Sequence, residues 1–126
     1  MGRLTTHVLD TAHGRPAGGM IVELQTLAED GSFRLLKQVE TNADGRTTEP
    51  LLDGEALLAG TYQLVFLAGD YFRRLGTDLP DPPFLDHVPV RFGIADRGVH
   101  YHVPLLVSPY GYSTYQIGRA SCRERV

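Results

Sequence analysis

The sequence of 126 residues has little of several features that mark particular classes of protein. It has one cysteine, which excludes an internal disulfide and a zinc site made of cysteines alone. It has no apolar run near the roughly 20 residues that a membrane-spanning helix needs. We therefore expect no membrane partner. The net charge of −3 argues against a nucleic-acid surface built on excess lysine and arginine.

The N-terminal segment has no apolar core of the kind found in a secretory signal. We therefore expect a cytoplasmic protein. Hydrophobic residues make up 42% of the chain and charged residues 21%, which is typical of a globular domain, and the length suits one such domain.

The last ten residues differ in composition from everything before them. Residues 117–126 carry a charge of +2 and contain the single cysteine, so the rest of the chain has a charge of −5 and no cysteine. We expect residues 1–116 to form the domain and residues 117–126 to be an atypical basic tail that is not native to it.

The chain has 14 glycines and 8 prolines, spread evenly along it. This distribution favours short strands joined by tight turns. Apolar residues mostly alternate with polar ones in residues 20–27, which predicts a half-buried strand there. The segments predicted as strands are 4–10, 20–27, 33–41, 61–68, 87–94, 99–107 and 110–115. A short helix is expected over residues 69–76, with Asp70 as its N-cap and Gly76 at its end. The pattern predicts an all-β fold, an antiparallel β-sandwich of seven or eight strands with one short helix.

Histidine is the residue type that stands out for chemistry. His100 and His102 form a His-x-His pair on a predicted strand, so both imidazoles lie on one face. The pair is compatible with a metal clamp, with a water-activating base and its helper, or with a polar strand face. His7 lies in the middle of a strand with packed neighbours. Arg46 follows an Asp-Gly turn and is either a solvated loop residue or a fork for a planar anion.

Three segments together resemble a known family. Residues 4–17 (LTTHVLDTAHGRPA), residues 44–46 (DGR) and residues 102–115 (HVPLLVSPYGYSTY) are similar to the motifs of the transthyretin-related 5-hydroxyisourate hydrolases. Residues 69–72 (GDYF) match the segment that enters the family's single helix. The resemblance covers residues 4–115, and its C-terminal motif is long and specific.

The resemblance implies an eight-stranded transthyretin-like sandwich, assembled as a homotetramer that is a dimer of dimers. It implies an enzyme of urate degradation with no cofactor and no metal. Its substrate is a purine derivative, 5-hydroxyisourate, which water converts to 2-oxo-4-hydroxy-4-carboxy-5-ureidoimidazoline. Carried over by motif, the catalytic residues are His7, Arg46 and His102. The same three motifs make His7, Arg46 and Tyr115 substrate-binding residues.

The resemblance also implies supporting residues and weakens the hypothesis that His100 and His102 bind a metal. Ser113 and Thr114 lie in the same terminal motif as Tyr115 and would support the site. His100 becomes a supporting or surface histidine, because the motif's catalytic position is His102.

The chemistry of these side chains agrees with a ring-opening hydrolysis. Two histidines that titrate near neutrality can divide proton removal and proton donation, and an arginine can hold a planar heterocycle with developing negative charge. The alternative is a transthyretin-like protein that binds a small molecule without turning it over. The family's chains end in Tyr-Arg-Gly-Ser, whereas Gln116 follows Tyr115 here. A tail that blocked the site would leave the fold intact and lower turnover.

Overall fold

The computed structural model of the protein describes residues 2–116. These residues form nine strands, one α-helix and one 3-10 turn. The elements are β1 (Arg3–Asp10), β2 (Arg15–Pro16), β3 (Ile21–Leu27), β4 (Phe33–Glu40), β5 (Leu52–Asp53), the 3-10 turn (Gly54–Ala56), β6 (Gly60–Leu67), α1 (Ala68–Arg74), β7 (His87–Ile94), β8 (Tyr101–Val107) and β9 (Tyr112–Ser113). The expected tail, residues 117–126, lies outside the described residues.

The strands form two sheets. One has the order β2-β1-β8-β9, with β5 paired to the start of β1, and the other has the order β4-β3-β6-β7. Every described pair is antiparallel except β1 with β8, which is parallel. β1 and β8 come from opposite ends of the domain, so the chain between them is long enough for a parallel connection.

The predicted all-β sandwich is confirmed, with two differences in detail. The parallel pair was not expected. Residues 2–116 form nine strands where seven or eight were predicted, and three of the nine, β2, β5 and β9, are only two residues long. Strands that short carry no periodic pattern, so the sequence gives no signal for β2 and β5.

The core lies between the two sheets and consists mainly of inward side chains from β1, β3, β6, β7 and β8, with buried residues of α1 and the loops. In β1 the even-numbered residues are buried and the odd-numbered residues are half-buried or exposed, as period-two geometry requires. The largest side chains that are almost fully buried are Phe66, Phe72, Leu4, Met20, Leu24, Leu51, Leu57, Leu64, Ile94 and Leu105. One face of each sheet therefore points away from the core.

The helix α1 forms where it was predicted, but its N-cap was predicted wrongly. Asp70 lies inside the first turn and accepts a hydrogen bond from Arg73 at 2.8 Å, while the N-cap position is Leu67. No side-chain cap forms at Leu67, and one N–H of the first turn, that of Gly69, instead donates to the Asp86 carbonyl at 2.9 Å. No helix within residues 2–116 has the length and apolar character needed to cross a membrane.

The end of α1 agrees with the prediction. Gly76 has a φ of +79°, its N–H donates to the Arg73 carbonyl, and the Thr77 N–H donates to the Phe72 carbonyl, both at 3.1 Å. This paired arrangement is the Schellman motif, which favours glycine because of its positive φ.

Candidate functional site

The outer face of β1 presents His7. Its neighbours in the strand, Thr6 and Val8, are buried, so the imidazole points away from the core. The Thr6 hydroxyl donates to the Val103 carbonyl at 2.7 Å, which joins β1 to β8 from the buried side. His7 is therefore carried on a strand that is anchored by its inward residues.

Arg46 comes from a tight turn that is built by Asn42 and Gly45. The Asn42 side-chain oxygen accepts the N–H groups of Asp44 and Arg46 at 2.9 and 3.2 Å. The Asn42 N–H in turn donates to the Arg46 carbonyl at 2.7 Å. Gly45 has a φ of +78° and lies so close to β1 that a β-carbon there would overlap the Val8 carbonyl oxygen. Only glycine meets both conditions without a shift of the backbone.

The turn brings Arg46 directly opposite His7. The two residues form an isolated antiparallel bridge, so their side chains lie on the same side of the sheet. The His7 Nε2 lies 2.8 Å from the Asp44 carbonyl oxygen. A carbonyl oxygen only accepts, so Nε2 carries the proton, and the Nδ1 of a neutral His7 is free to accept one.

His102 lies on the adjacent strand, β8. The parallel register places Thr5 beside His102 and His7 beside Pro104, so His102 shares the outer face with His7. The Thr5 hydroxyl lies 2.9 Å from His102 Nδ1 and holds the ring in place. Burial lowers the pKa of His102 below its ordinary value, and the positive charge of Arg46 lowers it further. Both effects favour the neutral form of the His102 imidazole.

Two cavities open beside this group. The larger, of about 340 Å³, is called the Arg3 cavity here and is lined by Arg3, Thr5, Thr6, Arg46, Thr47, Thr48, Glu49, Pro50 and His100. The smaller, of about 170 Å³, is lined by His100, His102, Tyr115 and Gln116. His100 lines both, and Thr5 lines the larger one while contacting His102. The two cavities therefore meet at His100, with Arg46 in the wall of the larger one and His102 in the wall of the smaller one.

The terminal motif residues differ in their positions. Tyr115 lines the smaller cavity beside His102. The Thr114 hydroxyl donates to the Pro104 carbonyl at 2.6 Å and so holds the segment after β9 against β8. Ser113 is exposed in β9 opposite Leu106, and it lines neither cavity.

Gln116 stands where the family motif has arginine. Its side-chain oxygen accepts the His102 N–H at 3.0 Å, so it contacts the backbone of a site residue. An amide oxygen can make this contact and an arginine side chain, which only donates, cannot.

The metal interpretation of the His-x-His pair gains no third ligand from the fold. His100 and His102 share the smaller cavity. However, no group of three or more His, Cys, Asp or Glu side chains placed to hold a metal ion occurs among residues 2–116.

The sequence prediction did not include Thr5, Arg3 or Asn42. Period-two geometry places Arg3 and Thr5 on the face of His7, and that signal was present in the sequence. Their contacts depend on the β1–β8 register and on the 46–50 loop. No local sequence pattern indicates the β1–β8 register or the course of the 46–50 loop.

The arrangement can carry out hydrolysis of a polar, planar substrate. It combines a neutral imidazole on β8, a second imidazole with a defined free nitrogen on β1, and a guanidinium beside them. These supply a proton acceptor, a group to orient water, and a cation for developing negative charge.

Comparison with known sequences gives a consistent picture. Residues 4–117 match the HIUase/Transthyretin family. The chain is 62% identical over 115 residues to 5-hydroxyisourate hydrolase 2 of Rhizobium meliloti (strain 1021), covering 91% of this chain and 95% of that one. It is 64% identical over 116 residues to 5-hydroxyisourate hydrolase of Mesorhizobium japonicum, covering 91% of each chain.

Solved structures share the fold. The 5-hydroxyisourate hydrolase of Klebsiella pneumoniae is 33% identical with a TM-score of 0.75, and the match covers 94% of this chain and all of that one. Sea bream transthyretin in complex with thyroxine is 26% identical with a TM-score of 0.82, over 94% and 97% of the two chains. An (S)-allantoin synthase is 44% identical with a TM-score of 0.86, and 93% of this chain matches 44% of that longer protein. The motifs, the two-sheet sandwich and the sequence matches over nine-tenths of the chain together show that the chain belongs to the HIUase/Transthyretin family.

Proposed function

We propose that the chain hydrolyses 5-hydroxyisourate and that His7, Arg46 and His102 carry the reaction. The observation that carries this proposal is the meeting of these three side chains on one outer sheet face, with His7 and Arg46 directly bridged. Relatives that are 62% and 64% identical over nearly the whole chain bear the name of this activity.

His102 is the proposed general base. Its lowered pKa keeps it neutral, so it can take a proton from the attacking water. His7 donates Nε2–H to the Asp44 carbonyl, so its Nδ1 can accept the other hydrogen of the same water. The two imidazoles would then hold the water from two sides.

Ring opening follows from these roles. The water oxygen adds to the ring carbonyl carbon while its proton passes to His102. Arg46 stabilises the negative charge that develops on the carbonyl oxygen. The carbon–nitrogen bond then breaks, the nitrogen takes the proton from His102, and the new carboxylic acid loses a proton to solvent. A positioned base of this kind contributes about a hundred- to ten-thousand-fold in rate.

The remaining members of the site have supporting roles in this proposal. Tyr115 would contact the substrate from the smaller cavity, and Thr114 and Ser113 would fix the segment that carries Tyr115. The family resemblance supports a homotetramer, and we propose that assembly. A cytoplasmic location stays a prediction from the sequence.

The test is to add the purified protein to urate and urate oxidase and follow the decay of 5-hydroxyisourate absorbance. We expect decay well above the spontaneous rate. His102→Asn and Arg46→Gln should each lose at least about a hundred-fold of this rate while remaining folded. Arg34→Gln is the matched control, because Arg34 is an exposed arginine on β4 of the other sheet.

Two results would contradict the proposal. Decay at the spontaneous rate with folded wild-type protein would remove the activity. Unchanged turnover in His102→Asn or Arg46→Gln would remove the assigned role of that residue.

A binding protein without turnover is the second candidate, and the structural likeness to sea bream transthyretin with thyroxine favours it. Its support is weaker, since that identity is 26% against 62% and 64% for the hydrolases. It predicts thyroxine binding together with no acceleration in the decay assay.

A further inference from the structure

The Arg3 cavity brings together two guanidinium groups, those of Arg3 and Arg46. His100 and the threonines of β1 and the 46–50 loop complete much of the wall. The volume of about 340 Å³ lies at the lower end of the range for small-molecule sites. Arg46 belongs to the reaction as proposed above, while Arg3 has no part in it.

Both guanidinium groups lack an ionic partner within residues 2–116. The salt bridges there join Asp10 to His13 and Asp70 to Arg73, and no side-chain hydrogen bond from Arg3 or Arg46 occurs in that part of the chain. Residues 1–116 as a whole are acidic, with a net charge of −5 that already includes both arginines. Two unpaired arginines on one cavity are therefore a local concentration of positive charge.

Two carboxylates lie near Arg3 and have to be counted. Glu49 lines the same cavity, and Asp53 lies opposite Arg3 in the β1–β5 register. Neither comes within 4.0 Å of the guanidinium nitrogens of Arg3, so neither forms a salt bridge with it. Arg3 thus keeps its donors available, and Glu49 opposes the binding of an anion.

The cavity is continuous with the reacting group. Arg46 lines the cavity and is bridged to His7, and the Thr5 hydroxyl lines it and contacts His102. His100 lines both this cavity and the smaller one that holds His102. A ligand in the Arg3 cavity would therefore lie next to the group formed by ring opening.

We propose that the Arg3 cavity is a carboxylate subsite in which Arg3 binds the carboxylate that ring opening creates. This rests on the proposed function, because hydrolysis of a ring carbon–nitrogen bond converts a neutral carbonyl into a carboxylate. The substrate ring has no such group, so Arg3 recognises the product and related ureido carboxylates. Guanidinium binds carboxylate through two parallel hydrogen bonds, which gives the geometry its selectivity.

The test uses ureidoacetate, a stable ureido carboxylate, and its neutral amide, ureidoacetamide. Binding of each to the full-length protein is measured by calorimetric titration, which does not require turnover. We expect Arg3→Gln to weaken ureidoacetate binding about tenfold, and Glu49→Gln to strengthen it about threefold. Ureidoacetamide binding should stay the same in both variants. Arg34→Gln, which removes an arginine from the other sheet, should change neither.

A second readout is the inhibition of 5-hydroxyisourate decay by ureidoacetate, which should weaken in Arg3→Gln in parallel with binding. Equal ureidoacetate affinity in wild type and Arg3→Gln would overturn the subsite, as would equal loss of acid and amide binding. Arg3-dependent ureidoacetate binding without any turnover would keep the subsite and refute the proposed function. Normal turnover with Arg3-independent binding would do the reverse.

Discussion

Gly45 is the residue on which the placement of Arg46 depends most directly, and replacing it with alanine tests that placement. A β-carbon at this position would overlap the Val8 carbonyl oxygen and approach Pro16 Cβ and the Ala17 nitrogen at 3.2 and 3.3 Å. The Val8 carbonyl accepts the Ala17 N–H at 2.9 Å, and the Val8 N–H donates to the Gly45 carbonyl at 2.8 Å. The new methyl group would therefore push the turn away from β1.

The expected loss of stability has two parts. A residue other than glycine at φ +78° costs about 1 kcal/mol or somewhat more. The substitution would also strain the two hydrogen bonds of Val8, and weakening each of them costs about 1 kcal/mol of stability. The sum is about 3 kcal/mol, which corresponds to a fall in melting temperature of about 10 °C for a domain of this size. A displacement of Arg46 by about 1 Å would lower kcat/KM about a hundred-fold.

Gly31→Ala is the matched control for Gly45→Ala. Gly31 also has a positive φ, of 89°, but a β-carbon there meets nothing within 4 Å. It should lose only the conformational part, about 1 kcal/mol, and keep full activity. Thermal melting and the absorbance assay on both variants separate the two effects. If Gly45→Ala matched Gly31→Ala in both measurements, the close contact between the turn and β1 would not position Arg46.

Three further predictions concern the neighbours of the site. In nuclear magnetic resonance titrations the pKa of His102 should lie below its ordinary value, and Arg46→Gln should raise it, because a positive charge that disfavours protonation is removed; an unchanged pKa would refute that cause. Thr5→Val should lower kcat about tenfold with KM nearly unchanged, since the His102 ring loses its hydroxyl contact, while Thr5→Ser should restore kcat; a loss that serine did not restore would point to packing instead. Tyr71→Phe should lower the free energy of unfolding by about 1–3 kcal/mol, because it removes a donor at 2.8 Å from the buried Asp10 carboxylate, with activity retained; denaturant unfolding measures this, and unchanged stability would mean that the bond contributes nothing.

Most of the fold and the main residues of the candidate site could be predicted from the sequence. Strands such as β1 and β6 are rich in β-branched, aromatic and other apolar residues, which predicts them directly, and the motif resemblance grouped His7, Arg46 and His102. The prediction of Asp70 as N-cap was wrong for a physical reason. Its helix begins against the backbone that precedes β7, and such a contact depends on tertiary packing that local propensity does not describe.

The parts that could not be predicted are those that depend on register between distant segments. Thr5 and His102 are 97 residues apart, and their contact exists because β1 and β8 pair in parallel with a particular alignment. A shift of one residue would turn Thr5 and His7 toward the core. No local pattern records that alignment, so Thr5 and the Arg3 cavity become visible only in the folded chain.

The position of β1 is fixed from its buried side, which explains how the opposite, more exposed face of the sheet can hold a precise site. The Thr6 hydroxyl bonds to the Val103 carbonyl, and the Asp10 carboxylate accepts the Tyr71 hydroxyl of α1 at 2.8 Å. His7 lies between these two anchors and faces the opposite way. Catalytic groups need placement to within a fraction of an ångström, and strands supply that better than loops do. The inward residues of β1 therefore stabilise the fold and orient His7 by the same contacts.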